Sequence, residues 1–301
     1  MPDPIEAVSL EQALAATAER VTAELERRLA VPPGARGRVL EAMRWGSLNG
    51  GKRLRPFLVI ESARLFDVPE RQALNAAVAL EMVHCYSLVH DDLPAMDDAD
   101  LRRGKPTVHK AFDDATAILA GDGLLTEAFA VLAEAETHPD PAVRCRLVAA
   151  LAAGAGAAGM VGGQMIDLSP ERDGLDLAGI SELQALKTGA LIAFACRAGE
   201  ILGGAAPEQE AALLSYAADL GLAFQIADDL LDVEGTTEQL GKPAGADAGL
   251  EKATFVRLLG VEGARRKAAE LVEMARQRLD SFKEKADLLR RTATFVLERR
   301  S

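Results

Sequence analysis

Aromatic residues and cysteines are both scarce in this chain. Aromatics make up 4% of it, and the alternating β-branched and aromatic runs that are typical of strands are rare. The three cysteines are widely spaced and form no CxxC pair, which argues against a disulfide scaffold and for a reducing compartment. The first ten residues contain no Lys or Arg, unlike a secretory signal. We therefore predict a cytoplasmic protein.

Positively charged residues are also few relative to negatively charged ones. The 34 Lys and Arg residues face 46 Asp and Glu, and a net charge of −12 argues against nucleic acid as a partner. Residues 147–166 carry no formal charge and have the length of a bilayer span. Seven of these residues are Ala and five are Gly, too few large apolar side chains to favour insertion. We predict a buried helix here and no stable membrane insertion.

The abundant residues are Ala, Leu, Glu and Arg, which favour helices. Helices are predicted between breaks rich in Gly and Pro, and the last is long enough to be two. They span about residues 7–30, 36–49, 54–66, 70–92, 113–136, 141–167, 179–203, 207–233, 249–259 and 262–298. Composition does not change between the halves and no repeat is visible, so residues 1–301 are predicted to form a single all-α domain.

The first acidic motif combines a helix end with a turn. Asp91 and Asp92 end an apolar-patterned helix, Pro94 bends the chain, and Asp97 follows within reach. Two carboxylates about 5 Å apart repel by roughly 3 kcal/mol at an effective dielectric of 20, but by under about 1 kcal/mol in water. A partly enclosed cation would explain the cluster, and a solvated acidic turn is the alternative.

The second acidic motif lies on a helix face. Asp228 and Asp232 are four residues apart, and Gln225 precedes them by one turn. Oxygen ligands of this kind suit Mg²⁺, although a solvated helix cap is the alternative. His84 stands seven residues before Asp91 and so shares its helix face. Neither a Ca²⁺ loop nor an HExxH zinc site is present.

Basic residues accompany both motifs. Residues 50–56, GGKRLRP, open a helix and could bring backbone N–H groups, Lys52 and Arg55 to a phosphate. Arg102 and Arg103 supply two guanidinium groups after the first motif. Each basic cluster could instead be a surface patch.

Further polar residues stand near the second motif. Lys187 and Thr188 interrupt an apolar helix, where a charge needs a partner or must extend to solvent. Lys242 and Lys252 flank a loop rich in Gly and Ala that could cover a phosphate. The GxGxxG pattern at 154–159 lacks a preceding strand, so a dinucleotide site is not expected.

Together these segments resemble the polyprenyl synthase family, most closely its bacterial farnesyl diphosphate synthases, over about residues 39–271. The matching segments are GGKRLRP at 50–56, HCYSLVHDDLPAMDDADLRRGKPTVH at 84–109, GMVGGQMIDL at 159–168, LKTGALI at 186–192 and AFQIADDLLD at 223–232. The resemblance implies an all-α helical bundle around a central active-site cavity, with both acidic motifs at its mouth. It also implies a homodimer.

The same resemblance implies roles for individual residues. Mg²⁺, as three ions with substrate bound and replaceable by Mn²⁺, would be held by Asp91, Asp92, Asp97, Asp228 and Asp232. Isopentenyl diphosphate would be held by Lys52, Arg55, His84 and Arg103. The allylic diphosphate would be held by Arg102, Lys187, Thr188, Gln225, Lys242 and Lys252. Among these, the catalytic dipoles that stabilise an allylic cation would come from Lys187, Thr188 and Gln225.

Product length is expected to depend on Tyr86. This residue lies five positions before Asp91, about 7.5 Å back along a helix, where a growing chain would meet it. With Ser87 beside it, the pattern resembles that of enzymes with a C15 product, and an ordinary core tyrosine is the alternative. Two departures from the family pattern are Ala99, within the aspartate run, and Glu251, which leaves the Lys252 contact open.

The expected activity is a Mg²⁺-assisted condensation of isopentenyl diphosphate with dimethylallyl and then geranyl diphosphate, giving farnesyl diphosphate through ionisation, condensation and proton elimination. The near alternatives are a geranyl or a geranylgeranyl diphosphate synthase. A terpene cyclase would not need the GGKRLRP and LRRG segments. A non-catalytic subunit of a heteromeric synthase would be expected to have lost one acidic motif, and this sequence has both.

Overall fold

The computed structural model describes residues 9–234 and 254–298, except for the side chain of residue 173. These residues are mainly helical, which confirms the predicted all-α class. The helices are α1 Leu10–Arg28, α2 Gly37–Ser47, α3 Leu54–Arg64, α4 Glu70–Asp91, α5 Val108–Ala111, α6 Asp114–Ala133, α7 Pro141–Ala155, α8 Met160–Leu168, α9 Leu177–Gln184, α10 Ala190–Gly203, α11 Pro207–Glu234, α12 Phe255–Arg278 and α13 Asp287–Glu298. Short 3-10 segments span Pro170–Gly174 and Asp280–Ala286, and a π-helical segment spans Ala185–Gly189.

Most predicted boundaries agree with the structure to within a few residues, because the chemistry of the helix ends is local. The start of α1 is fixed by a capping box, in which Ser9 Oγ accepts a hydrogen bond from Gln12 N and the Gln12 side chain accepts one from Ser9 N. Gly260, with φ +68°, interrupts α12 at the predicted break. The long C-terminal helix is divided by the 3-10 segment at Asp280–Ala286.

The predicted single helix over 141–167 is wrong. The chain leaves the helical path between α7 and α8, where a Cβ at Gly159 would overlap the carbonyl of Gly154. Helix α7 does approach α10 closely, because a Cβ at Gly154 would lie 3.3 Å from the carbonyl oxygen of Ala190. A Cβ at Gly163 on α8 would overlap the backbone of Lys187. The glycines therefore permit backbones to approach while they also weaken the helix.

A two-stranded hairpin, which was not predicted, follows the first acidic motif. Strand β1, Leu101–Arg102, pairs antiparallel with β2, Lys105–Pro106. The turn residues Arg103 and Gly104 have φ of +53° and +75°, the backbone signs of a type I′ turn. Strands of two residues are too short for a periodic sequence signal.

The backbone divides into two compact units. The first comprises Met1–Phe57 with Ala77–Ala128, and the second comprises Leu58–Ala76 with Phe129–Ser301. The first acidic motif and both basic segments lie in the first unit, whereas the second acidic motif and the π-helical segment lie in the second. The organisation of 1–301 as one domain stays a prediction.

Each unit has an apolar core. The fully buried side chains of the first unit include Leu25, Phe57, Leu80 and Leu124. In the second unit Tyr216 is fully buried, and its hydroxyl donates a hydrogen bond of 2.8 Å to the carbonyl of Leu289. Burial of this ring is therefore achieved without an unpaired polar atom.

Two apolar helical segments of the described chain, Asp114–Ala133 and Pro141–Leu168, meet the length and hydropathy criteria of membrane spans. This is weak evidence, because core helices of soluble proteins meet the same criteria. Only 39% of the most apolar stretch of the first segment and 33% of that of the second are buried within this chain, so the helix predicted to be buried at 147–166 is largely not buried. All three cysteines, Cys85, Cys145 and Cys196, are free thiols, as predicted.

Candidate functional site

The first acidic motif is folded back on the end of α4. Asp97 N donates a hydrogen bond of 2.9 Å to the carbonyl of Asp91, and Ala99 N donates one of 3.2 Å to the carbonyl of Asp92. The turn at Pro94 thus returns the chain to the helix end, as the sequence predicted. The three aspartates differ in burial: Asp92 is buried, Asp91 is partly exposed and Asp97 is exposed.

Arg102 on the hairpin binds Asp92 directly. Its Nε lies 2.9 Å from both carboxylate oxygens, and its Nη2 lies 2.6 Å from Oδ1. Burial lowers the pKa of the Arg102 guanidinium, but the hydrogen bonds and charge of Asp92 outweigh this and raise it. The short turn at Arg103–Gly104 therefore places a permanent positive charge at the acidic motif.

Arg103 joins the two basic segments. Its Nη1 donates a hydrogen bond of 2.5 Å to the carbonyl of Gly50, and a Cβ at Gly51 would lie 2.6 Å from the same nitrogen. Gly51 has φ +109°, so both its conformation and this contact require glycine. The LRRG hairpin thus packs on the GGKRLRP loop, just before α3 begins at Leu54.

Arg53 has a different role from the cations beside it, and the sequence interpretation did not single it out. Its side chain is 1% exposed, and its guanidinium contacts Glu81 Oε1 at 2.5 Å and the carbonyl of Ser47 at 2.5 Å. Cys85 Sγ lies 3.9 Å away. Lys52 is exposed and Arg55 partly exposed, so the loop alternates between buried and accessible cations. The sequence feature that could have indicated a buried partner for Arg53 is Glu81, an acid within an apolar stretch of α4.

His84 lies beside Arg55, with 3.4 Å between His84 Nε2 and Arg55 Nη1. Burial is the largest influence and lowers the pKa of His84 well below its usual value, and the charges of Arg55 and Arg103 lower it further. The neutral ring can therefore accept a hydrogen bond from Arg55 through Nε2. His84 and Asp91 both lie on α4, as predicted.

Tyr86 and Ser87 also lie on α4. Tyr86 is 7% exposed, and its pKa is raised by burial and then by the charge of Asp91. Ser87 Oγ donates a hydrogen bond of 2.8 Å to the carbonyl of His84, so this hydroxyl is satisfied within its own helix. The predicted helical spacing of Tyr86 from Asp91 is confirmed, because α4 continues through both residues.

In the second unit, α11 carries Gln225, Asp228 and Asp232. Gln225 and Asp228 are partly exposed, and Asp232 is buried. Between them, Asp229 accepts a hydrogen bond of 2.8 Å from Phe255 N through Oδ2, which ties the start of α12 to α11. The predicted helical spacing of the second motif is therefore confirmed, and Asp229 has a structural contact.

Lys187 and Thr188 lie in the π-helical segment at Ala185–Gly189. Lys187 Nζ contacts Asp167 Oδ2 at 2.6 Å, and Arg172 Nε contacts Asp167 Oδ1 at 2.9 Å. Asp167 is thus the partner that a charge in an apolar helix requires. No role was predicted for Asp167, although it is the first charge after residues 147–166. A π-helical segment often occurs at a functional site.

The remaining predicted site residues, Lys242 and Lys252, lie outside the described residues, as does Glu251. Within 9–234 and 254–298, no group of three or more His, Cys, Asp or Glu side chains converges as a protein-only metal cage.

A mainly helical chain that carries two aspartate motifs at or on helices, with Arg and Lys beside them, has the features of a diphosphate-dependent prenyltransferase. Comparison with known proteins gives the same result. The polyprenyl synthetase family model matches residues 38–291. The chain belongs to the polyprenyl synthetase family, which confirms the family predicted from its motifs.

Individual relatives cover nearly the whole chain. It is 44% identical over 294 residues to the farnesyl diphosphate synthase of Escherichia coli strain K12, covering 96% of this chain and 98% of that protein. It is 44% identical over 271 residues to geranylgeranyl pyrophosphate synthase 9, chloroplastic, of Arabidopsis thaliana, covering 88% and 74%. The solved structure of an FPP/GFPP synthase from Zymomonas mobilis is 45% identical, covers 96% and 98%, and has a TM-score of 0.87.

Proposed function

We propose that this chain is a farnesyl diphosphate synthase. It condenses isopentenyl diphosphate with dimethylallyl and then geranyl diphosphate. The observation that carries the proposal is the packing of the LRRG hairpin on the GGKRLRP loop through Arg103 and Gly50, beside an Arg102–Asp92 pair. A synthase needs this basic region for a second diphosphate, and a terpene cyclase does not.

The aspartates suit Mg²⁺ as the cofactor. They offer only oxygen ligands, and Mg²⁺ commonly binds through one or two carboxylates plus substrate phosphates. The ligands would be Asp91, Asp92, Asp97, Asp228 and Asp232, with three ions when substrate is bound and Mn²⁺ as a substitute.

When bound, Mg²⁺ would neutralise the diphosphate leaving group and so favour cleavage of the allylic C–O bond. The chain's own residues divide the remaining work. Lys52, Arg55 and Arg103 hold isopentenyl diphosphate by charge, and neutral His84 accepts a hydrogen bond from Arg55 and orients its guanidinium.

The allylic side uses a second set of residues. Arg102 and Lys187 bind the allylic diphosphate, and Lys242 and Lys252 are proposed to cover it. The Thr188 hydroxyl, the Gln225 amide and the Lys187 carbonyl offer dipoles to the allylic cation and are weak nucleophiles. After the isopentenyl double bond attacks that cation, the condensed cation loses a proton, and by family resemblance the released diphosphate accepts it.

A C15 product is proposed because of Tyr86. The helical rise places it about 7.5 Å from Asp91 along the axis of α4, and its ring is buried. Relatives whose names specify geranylgeranyl products keep a C20 product as the near alternative. Tyr86→Ala is expected to lengthen the product, as sized by mass spectrometry. An unchanged chain length would remove Tyr86 as the residue that closes the pocket.

The activity is tested by incubating the purified chain with Mg²⁺, isopentenyl diphosphate and each allylic primer in turn, followed by product sizing. Condensation by this chain alone would also exclude a non-catalytic subunit of a heteromeric synthase. No condensation with any primer would overturn the proposal.

The metal ligands are tested separately. Asp91→Ala and Asp228→Ala are each expected to lower turnover by orders of magnitude. Asp98→Asn is the matched control: Asp98 is an exposed neighbour with φ +45°, a conformation that Asn tolerates. Near-normal rates for either alanine variant would contradict the metal assignment.

We also propose a cytoplasmic homodimer that does not insert into membranes. Two apolar helical segments, Asp114–Ala133 and Pro141–Leu168, support the homodimer, because both carry exposed large apolar residues. Ile118 and Leu119 are exposed on the first, and Val161 and Met165 on the second. Such surfaces are commonly covered by a second subunit. Light scattering of detergent-free protein should give twice the mass of the chain, and a monomer would contradict the proposal.

A further inference from the structure

His90, which has no assigned role in the proposed mechanism, contacts Tyr86 directly. The two residues are one helical turn apart on α4, and their rings meet edge to face, with centroids 5.6 Å apart and planes at 84°. Aromatic pairs of this geometry contribute about 0.5–1.5 kcal/mol beyond the area that they bury. His90 therefore restrains the Tyr86 ring from one side.

His90 is itself fixed against α6. Its Nε2 lies 3.0 Å from the carbonyl oxygen of Ile118. A carbonyl oxygen only accepts hydrogen bonds, so Nε2 carries the hydrogen in this contact. The imidazole thus connects Tyr86 on α4 to the backbone of the neighbouring helix.

Gly121 provides the space for this imidazole. The three atoms nearest to a Cβ built at residue 121 all belong to the His90 ring, and Nε2 would overlap it. A glycine inside a helix costs about 1 kcal/mol relative to alanine, so its presence here has a packing reason. Gly123 on the same helix is different, because a Cβ there would meet the flexible end of Met43, with Sδ at 2.8 Å.

We propose that His90, seated against Gly121 and the Ile118 carbonyl, positions Tyr86 and thereby limits the length of the product. The inference rests on the proposed function, in which Tyr86 closes the pocket for the growing chain. A ring that is packed on one side keeps its orientation, whereas a ring that has lost this neighbour can rotate out of the path. His90 acts through Tyr86 and is a positioning residue.

The test measures product length in four variants of the full chain. His90→Ala removes the contact, Gly121→Ala displaces the imidazole, Gly123→Ala is the matched control on α6, and Tyr86→Ala is the reference. Each purified variant receives Mg²⁺, isopentenyl diphosphate and geranyl diphosphate, and products are sized by mass spectrometry at equal conversion. Thermal unfolding is recorded for each variant.

We expect His90→Ala and Gly121→Ala to raise the ratio of C20 to C15 product by about tenfold, the discrimination that a pocket wall commonly provides. Gly123→Ala should keep the wild-type ratio. His90→Ala will also slow turnover, since it adjoins Asp91, but the product ratio does not depend on the overall rate. If Gly121→Ala does not fold, His90→Ala decides the question.

Two results would overturn the inference. One is a longer product from Tyr86→Ala while His90→Ala and every folded Gly121→Ala sample still make C15. The other is a ratio that rises equally in Gly123→Ala, which would indicate general loosening of α6. If Tyr86→Ala itself makes only C15, the pocket assignment in the proposed function fails, and the role of His90 fails with it.

Discussion

Arg102 and Asp92 are bound to each other by three hydrogen bonds of 2.6–2.9 Å. The family resemblance gives these residues different ligands, the allylic diphosphate for Arg102 and Mg²⁺ for Asp92. Their pairing means that one cation already balances the buried carboxylate of the first acidic motif. Binding of either ligand must therefore compete with, or adapt to, this pair.

Replacing Arg102 by Gln should separate the two functions. Loss of its charge leaves the carboxylates more repulsive, so the protein alone should bind Mn²⁺ more tightly. The KM for geranyl diphosphate should rise about tenfold or more, since hydrogen bonds to charged groups contribute about 1.5–3 kcal/mol. Calorimetry and steady-state kinetics measure the two effects. Arg38→Gln, which breaks the exposed Arg38–Asp113 pair, is the control. Weaker Mn²⁺ binding by Arg102→Gln would contradict the argument.

The buried Arg53–Glu81 pair should be important for stability. Arg53→Met leaves Glu81 buried without its partner and should lower the free energy of unfolding by about 3–5 kcal/mol. Arg53→Met with Glu81→Met should recover much of this loss, because no buried charge remains. Urea unfolding of the wild type, Arg53→Met and the double variant measures the three free energies of unfolding.

The control for this pair is Arg64→Met. Arg64 is largely exposed and pairs with Glu61 at 3.1 Å, so its loss should cost only about 0–1 kcal/mol. Arg53→Met should also raise the KM for isopentenyl diphosphate, since Arg53 anchors the loop between Lys52 and Arg55. A double variant that is as unstable as Arg53→Met, or less stable, would argue against direct coupling.

Asp167→Asn should affect the allylic substrate selectively. The substitution removes the charge that holds Lys187 Nζ at 2.6 Å and Arg172 Nε at 2.9 Å. We expect the KM for geranyl diphosphate to rise several-fold, by about 1 kcal/mol of binding or more, while the KM for isopentenyl diphosphate changes little.

The matched control for Asp167→Asn is Asp176→Asn. Asp176 caps α9 by accepting a hydrogen bond of 2.9 Å from Gly179 N, and Asn caps helices equally well. Kinetics with each substrate varied in turn give the two KM values. An equal rise in both KM values for Asp167→Asn would indicate a structural effect only.

Glu200 predicts a pH dependence of stability. Burial, and then the charge of Glu210, raise the pKa of the Glu200 carboxyl from its usual 4.5 to about 7, although Arg197 and Arg146 oppose this. The folded state thus binds more protons than the unfolded state between these values, so stability falls as pH rises from about 4.5 to 7. Glu200→Gln should be stabilising at pH 8, by up to on the order of 3 kcal/mol, and near neutral at pH 4.5. A difference in unfolding free energy that is constant with pH would contradict this.

Local sequence patterns predicted much of the fold. The helix-forming composition and the break near Gly260 act over a few residues, so their effects can be inferred without tertiary contacts. The wrong prediction of a single helix at residues 141–167 also comes from reading local sequence patterns alone. Glycines there favour both a close helix crossing and a break, and only the packed neighbours decide where each occurs.

The amino-acid sequence by itself determined the family, the all-α class and the helical spacing of the two acidic motifs, because these depend on composition and on residue order. Tertiary structure alone decided which charges meet. Lys52, Arg53 and Arg55 are alike in sequence, yet Arg53 is the one whose side chain is almost fully buried against Glu81. Asp167 likewise pairs with Lys187 because α8 packs against the π-helical segment. Such pairings join residues that are distant in the chain, so they cannot be predicted from the local periodicity of the sequence.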